Sequence, residues 1–173
     1  QAWQVNVTGT LLVCQHAIKV MKPLRGGKII TISGGGATNP MPRFAAYAAT
    51  KAAVVRLTET LAEEYRADHI DVNAVAPGAL RTRLTQQVLD AGPEMAGTEF
   101  FAKNKKWSDE GGVDPQLGAA LCVYLASTES DGITGKLISA QWDPWRDPHK
   151  FRALAIGDVY TLRRIVPEDR PTQ

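Results

Sequence analysis

Three short apolar runs, each set between stretches of helical spacing, constrain this chain more than any other feature. Lys28-Ile29-Ile30-Thr31-Ile32-Ser33 is β-branched and reads as a strand buried on both faces. Ile70-Asp71-Val72-Asn73-Ala74-Val75-Ala76 is a second such run, and Lys136-Leu137-Ile138-Ser139-Ala140 a third. Before the first run, Val5, Leu12, Val13, Ala17, Val20 and Met21 recur close to helical spacing, predicting a helix over 2–22 that Pro23 stops. A second helix is predicted over 45–66, with Val54, Leu57, Leu61 and Tyr65 as its inward stripe. Asp114-Pro115 offers an N-cap and a first-turn proline for a third, over 115–126. Strands that alternate with helices run parallel and are joined by crossovers. The expected fold class is α/β, a parallel sheet with flanking helices.

Composition narrows the partners. The chain has 173 residues, 44% hydrophobic and 22% charged, enough for one globular domain with a sizeable core. Its formal net charge is +2 and no run of Lys/Arg forms a basic patch, so no nucleic-acid partner is expected. Lys103, Lys105 and Lys106 are flanked by Glu99, Asp109 and Glu110 and read as a solvated loop. No stretch approaches the roughly 18 apolar residues of a membrane span. Without a recognisable signal peptide, the expected location is cytoplasmic. Cys14 and Cys122 lie in apolar helical contexts without CxxC spacing, as buried free thiols do. His16, His69 and His149 are scattered, and no metal site is expected.

Ligands of open α/β sheets bind at the carboxyl ends of the strands. Gly34-Gly35-Gly36 follows the first strand there, and the helix that comes next opens with Tyr47-Ala48-Ala49-Thr50-Lys51. Residues i and i+4 share one helix face, so the Lys51 ammonium can lie near the Tyr47 phenol or hold a ligand against it. A nearby cation favours phenolate and makes tyrosine a usable general acid/base. Ala45, Ala46, Ala48, Ala49, Ala52 and Ala53 leave room for a flat ligand. Pro77-Gly78 ends the second strand, with Thr82 shortly after.

In these pieces the chain resembles the short-chain dehydrogenase/reductase family, which binds NAD or NADP on a Rossmann fold. The matching segments stand in family order: Val5-Asn6-Val7-Thr8-Gly9, Gly27 to Ser33, Tyr47 to Lys51, Val72 to Gly78, Thr82, Leu125-Ala126-Ser127 and Ile133-Thr134-Gly135. The resemblance implies an NAD(P)-dependent oxidoreductase that moves a hydride to or from a ketone or secondary alcohol. It implies that Tyr47 is the general acid/base and that Lys51 holds the nicotinamide ribose and lowers the pKa of Tyr47. Asn6 corresponds to the asparagine that anchors a relay water. Backbone at Pro77, Gly78 and Leu80, with the Thr82 hydroxyl, corresponds to the carboxamide site.

Two departures stand out. The family's serine position falls on Gly34, and the serine present, Ser33, is one residue earlier; Ser33, a backbone N–H or a substrate group is expected to supply the missing donor. The family's Gly-rich phosphate-binding turn has no counterpart. Residues 1–140 therefore read as the C-terminal, catalytic part of such a domain, a partial Rossmann fold, with 141–173 as an extension packed on the domain or on a subunit interface. The first strand is expected to expose an edge. Region 79–113 is expected to cover the substrate, and Trp142 and Trp145 to pack at an interface or close the site. The resemblance implies a homodimer or homotetramer through helices 2–22 and 45–66. Two other readings fit the same residues: a non-catalytic binding or dimerisation module, and a related dehydratase or epimerase.

Overall fold

The computed structural model describes residues 1–166 and 169. Its centre is β2 (Ile70–Ala76), the middle strand of a three-stranded parallel sheet. β1 (Gly27–Ile32) and β3 (Leu137–Ser139) lie on either side of it. The register sets Gly27 opposite Ile70, Ile32 opposite Val75, and Ala74 opposite Leu137. Ile70, Val72, Ala74 and Val75 are all fully buried, because helices cover both faces of the middle strand. α1 (Thr10–Leu24) and α2 (Ala45–Glu64) cover one face, where Cys14, Ile18 and Leu61 pack with Ile29, Ile70 and Val72. On the opposite face α5 (Pro115–Ala126) and α6 (Pro148–Leu154) bring Leu121, Leu125 and Phe151 against Val75 and Ile138. The α/β architecture expected from the three runs is the one observed.

The differences lie at element ends. Pro23 does not stop the first helix but lies inside its last turn; the stop is Arg25, in the left-handed conformation with φ 51°. Its N–H closes on the Lys22 carbonyl at 3.1 Å, which satisfies one of the carbonyls a helix end leaves open. The start of the same helix is also irregular: Gln4–Gly9 is a π-helical stretch that leads directly into α1. Asp114 caps α5 as expected, accepting the Gln116 N–H at 2.9 Å. Region 79–113 holds two helices, α3 (Arg83–Ala96) and α4 (Thr98–Asp109), so the lysine cluster at 103–106 is helical and not loop. Of the aromatic residues beyond β3, Trp145 and Phe151 are buried in the core, whereas Trp142 is 79% exposed. No helix among the described residues is long and apolar enough to cross a membrane.

One polar side chain is built into the middle strand. Asn73 is buried and reaches the segment before β3, donating to the Ile133 carbonyl at 2.7 Å and accepting the Lys136 N–H at 3.1 Å. It joins β2 to the β3 entry where the regular ladder has not begun. Asn73→Ala strands both backbone groups in the interior, and urea unfolding should show a loss of about 3 kcal/mol.

Candidate active site

The carboxyl end of β1 and the first turn of α2 touch through glycine. A Cβ placed on Gly34 would lie 2.9 Å from Tyr47 Oη and 3.5 Å from Lys51 Cε. One on Gly36, whose φ is +85°, would lie 2.6 Å from the Ala48 Cβ. At Gly36 the chain approaches the helix more closely than a side chain allows, whereas at Gly34 the nearest atom is the hydroxyl end of the Tyr47 side chain. The Tyr47 hydroxyl occupies part of the room a side chain at 34 would take.

Lys51 stands one turn after Tyr47, with its ammonium over the phenol ring 5.8 Å from the centroid. It donates to the Ile32 carbonyl at 3.1 Å, tying α2 to the end of β1. An ammonium has three donors, and this is the one hydrogen bond Lys51 makes among the described residues. Burial pushes the Tyr47 phenol above its ordinary pKa and the Lys51 ammonium below its own. The expected lowering of Tyr47 by Lys51 is thus reversed here. The cation faces the ring and a carbonyl, and loss of water around the phenol is the larger effect.

Asn6 reaches the same helix from the π-helical stretch. Its Nδ2 donates to Thr50 Oγ1 at 2.9 Å, and Thr50 Oγ1 donates to the Tyr47 carbonyl at 2.7 Å. Thr10 Oγ1 donates to the Asn6 carbonyl at 2.7 Å. Thr50 is fully buried and was not singled out in the sequence. The available signal was a threonine inside a helix, whose hydroxyl commonly bonds back to a carbonyl in the preceding turn. π-helical turns recur at functional sites, and this one sets Asn6 toward α2.

The remaining candidates are less closely joined. Ser33 is buried, and its Oγ has no hydrogen-bond partner among the described residues; position 34, not 33, faces the phenol. Pro77 and Gly78 leave β2 with φ +96° at Gly78. The Gly78 carbonyl accepts the Leu80 N–H at 3.1 Å, and the Leu80 carbonyl accepts Thr85 Oγ1 at 2.8 Å. Thr82 is the N-cap of α3 and accepts the Thr85 N–H at 3.5 Å. These groups form a folded-back turn at the same sheet end as Tyr47.

A parallel α/β sheet with Tyr47 and Lys51 on the helix after its edge strand defines a Rossmann-like domain with its candidate site at the strand carboxyl ends. Residues 1–141 match the family model described as enoyl-(acyl carrier protein) reductase. The chain belongs to the short-chain dehydrogenase/reductase family. It is 35% identical over 136 residues to a short-chain type dehydrogenase/reductase of Picea abies, covering 79% of this chain and 48% of that protein. It is 37% identical over 141 residues to 3beta-hydroxysteroid dehydrogenase 1 of Eggerthella lenta, covering 78% and 52%. Among solved structures, a gluconate 5-dehydrogenase from Burkholderia cenocepacia in complex with NADP and tartrate superposes with a TM-score of 0.67 at 28% identity, covering 79% and 52%. The chain spans about half the length of the curated relatives it matches.

The phenol's state is directly measurable. In a spectrophotometric pH titration, the component lost on Tyr47→Phe should ionise above the ordinary tyrosine range. A component at or below that range would mean that the Lys51 charge outweighs burial.

Proposed function

We propose that this chain is the catalytic portion of an NAD(P)-dependent oxidoreductase that interconverts a ketone and a secondary alcohol, with Tyr47 as its general acid/base. The observation that carries the reading is the packing of Tyr47 Oη against Gly34 at the sheet's carboxyl end, with Lys51 one turn away. The residues fit the nicotinamide end of such a cofactor. Lys51 has ammonium donors beyond the one given to Ile32, suited to ribose hydroxyls. The turn at Pro77, Gly78 and Leu80, with Thr82, offers backbone and hydroxyl groups for the carboxamide. NAD and NADP are equally compatible with these residues. When bound, the nicotinamide supplies or accepts the hydride.

Tyr47 moves the proton. Burial keeps its phenol protonated at neutral pH, so it is set to donate to a carbonyl oxygen as the carbon is reduced. In the reverse direction it must first ionise, and the Lys51 charge then stabilises the phenolate. Asn6 acts through Thr50 on the Tyr47 carbonyl and holds the first turn of α2 in place. Gly34 gives the reacting oxygen no hydroxyl, and Ser33 Oγ is the nearest serine in sequence. The substrate is a small carbonyl or alcohol compound.

In the intact protein, Tyr47→Phe should lower carbonyl reduction by about a thousandfold. NADPH or NADH affinity, read from nicotinamide fluorescence, should stay within about twofold. Unchanged turnover would remove Tyr47 from the chemistry, and loss of binding with retained fold would make its role structural.

A second copy of this chain is the protein partner the surface supports. The first helix leaves Val5, Val13 and Val20 64%, 70% and 67% exposed. Sedimentation should find a dimer or tetramer that Val13→Glu dissociates; a monomeric wild type would end this assignment.

A further inference from the structure

β3 is an edge strand of the sheet, and its outer side is already used. The Lys136 carbonyl accepts the Ala74 N–H at 2.7 Å and the Ala140 N–H donates to the Ala76 carbonyl at 3.0 Å, so these two residues face β2. Strand residues alternate, which turns the N–H groups of Leu137 and Ser139 away from β2, toward the open edge. Edge donors of this kind are a template for a strand of another chain. Here both are satisfied from within the chain. The Leu137 N–H donates to the Tyr160 carbonyl at 2.8 Å, and the Ser139 N–H donates to Asp143 Oδ2 at 2.7 Å.

Both acceptors belong to residues past 141, where the family match ends. Three anchors hold that segment along the edge. At the carboxyl end of β3, Trp145 is buried and its Nε1 donates to the Ala140 carbonyl at 2.9 Å. In the middle, Phe151 of α6 is fully buried in the core that includes Val75 and Ile138, and Tyr160 packs on it with ring centroids 5.7 Å apart. At the start of β3, the ammonium of Lys136, a residue only 5% exposed, donates to the Gly157 carbonyl at 2.7 Å and the Val159 carbonyl at 3.0 Å. Burying a lysine costs free energy that such partners must offset, so this anchor is a built contact and not a chance one.

We propose that residues 143–160 seal the β3 edge against a second copy, standing where its strand would pair, so that copies of this protein meet through the first helix alone and stop at a two-fold dimer. A closed tetramer needs a second self-complementary surface, and the β3 edge is not free to supply it. That copies meet at all rests on the self-association proposed above; the sealed edge does not.

Sedimentation and amide hydrogen exchange on the whole chain test the seal. The wild type should sediment as a dimer. Its Leu137 and Ser139 amides should exchange slowly, at rates unchanged by dilution or by Val13→Glu, because their acceptors lie in the same chain. Asp143→Ala combined with Lys136→Met frees the Ser139 donor and removes the anchor beside Tyr160. Both amides should then exchange about tenfold faster, and the sedimenting mass should double as the opened edges pair. Protection that is absent or falls on dilution, a wild-type tetramer, or faster exchange without a gain in mass overturns the proposal. If the double variant does not fold, Asp143→Ala alone decides by the same readings of exchange and mass. A monomeric wild type would end the self-association reading and not the seal, and the opened variant would then double from monomer to dimer.

Discussion

The close approach of the β1 end to the first turn of α2 is the constraint on which the site depends. At Gly36 the backbone lies nearer to Ala48 than any Cβ permits, and at Gly34 the Tyr47 hydroxyl takes up space a side chain would fill. Core burial alone would not set this distance, since Thr31, Thr58 and Val54 seat α2 on the sheet further along. What the glycines add is lateral precision at one end. They let the phenol lean on the chain leaving β1, while Lys51 reaches back to the Ile32 carbonyl of the same segment. Strand end and helix start are thereby joined by a steric fit and a charge-assisted hydrogen bond.

That fit has an electrostatic consequence. Pressing the phenol against backbone removes water from it and raises the cost of the phenolate. The same burial disfavours the Lys51 ammonium. With the cation over the ring, the favourable contact is with the ring's quadrupole, a modest attraction of about 0.5–1 kcal/mol at an exposed site. The pair thus rests with its proton on tyrosine. In the function proposed above, such a pair gives up a proton from its resting state and takes one only after the phenol has ionised.

How much of this was legible in the sequence follows from the range of the forces involved. The sheet was legible because Ile70, Val72, Ala74 and Val75 must be apolar on both faces of a middle strand, and that writes a continuous run. The start of α5 was legible because Asp114 and Pro115 act on their own neighbours. The end of α1 was not: Pro23 is tolerated in a last turn, and the stop came from Arg25 adopting a left-handed conformation that no residue type announces. The π-helical stretch at Gln4–Gly9 leaves no periodic trace in six residues. At the site, the Tyr47/Lys51 spacing was visible. The direction of the Tyr47 shift depends on burial by segments distant in sequence, and was not.

The same distinction explains region 79–113. Its polar, glycine-interrupted sequence reads as only partly helical because Gly92, Pro93 and Gly97 interrupt the helical spacing. α3 and α4 pack mainly on each other, and their charged residues, including Lys105 paired with Asp109, lie outward. Gly92 and Gly97 break the arm where positive φ is required, which glycine alone meets without strain. Segments built this way sit at the low end of a protein's local stability, since few buried contacts resist their opening. The arm is rooted at the carboxyl end of β2 and touches the body again at Arg43 and Phe44, beside the helix of Tyr47.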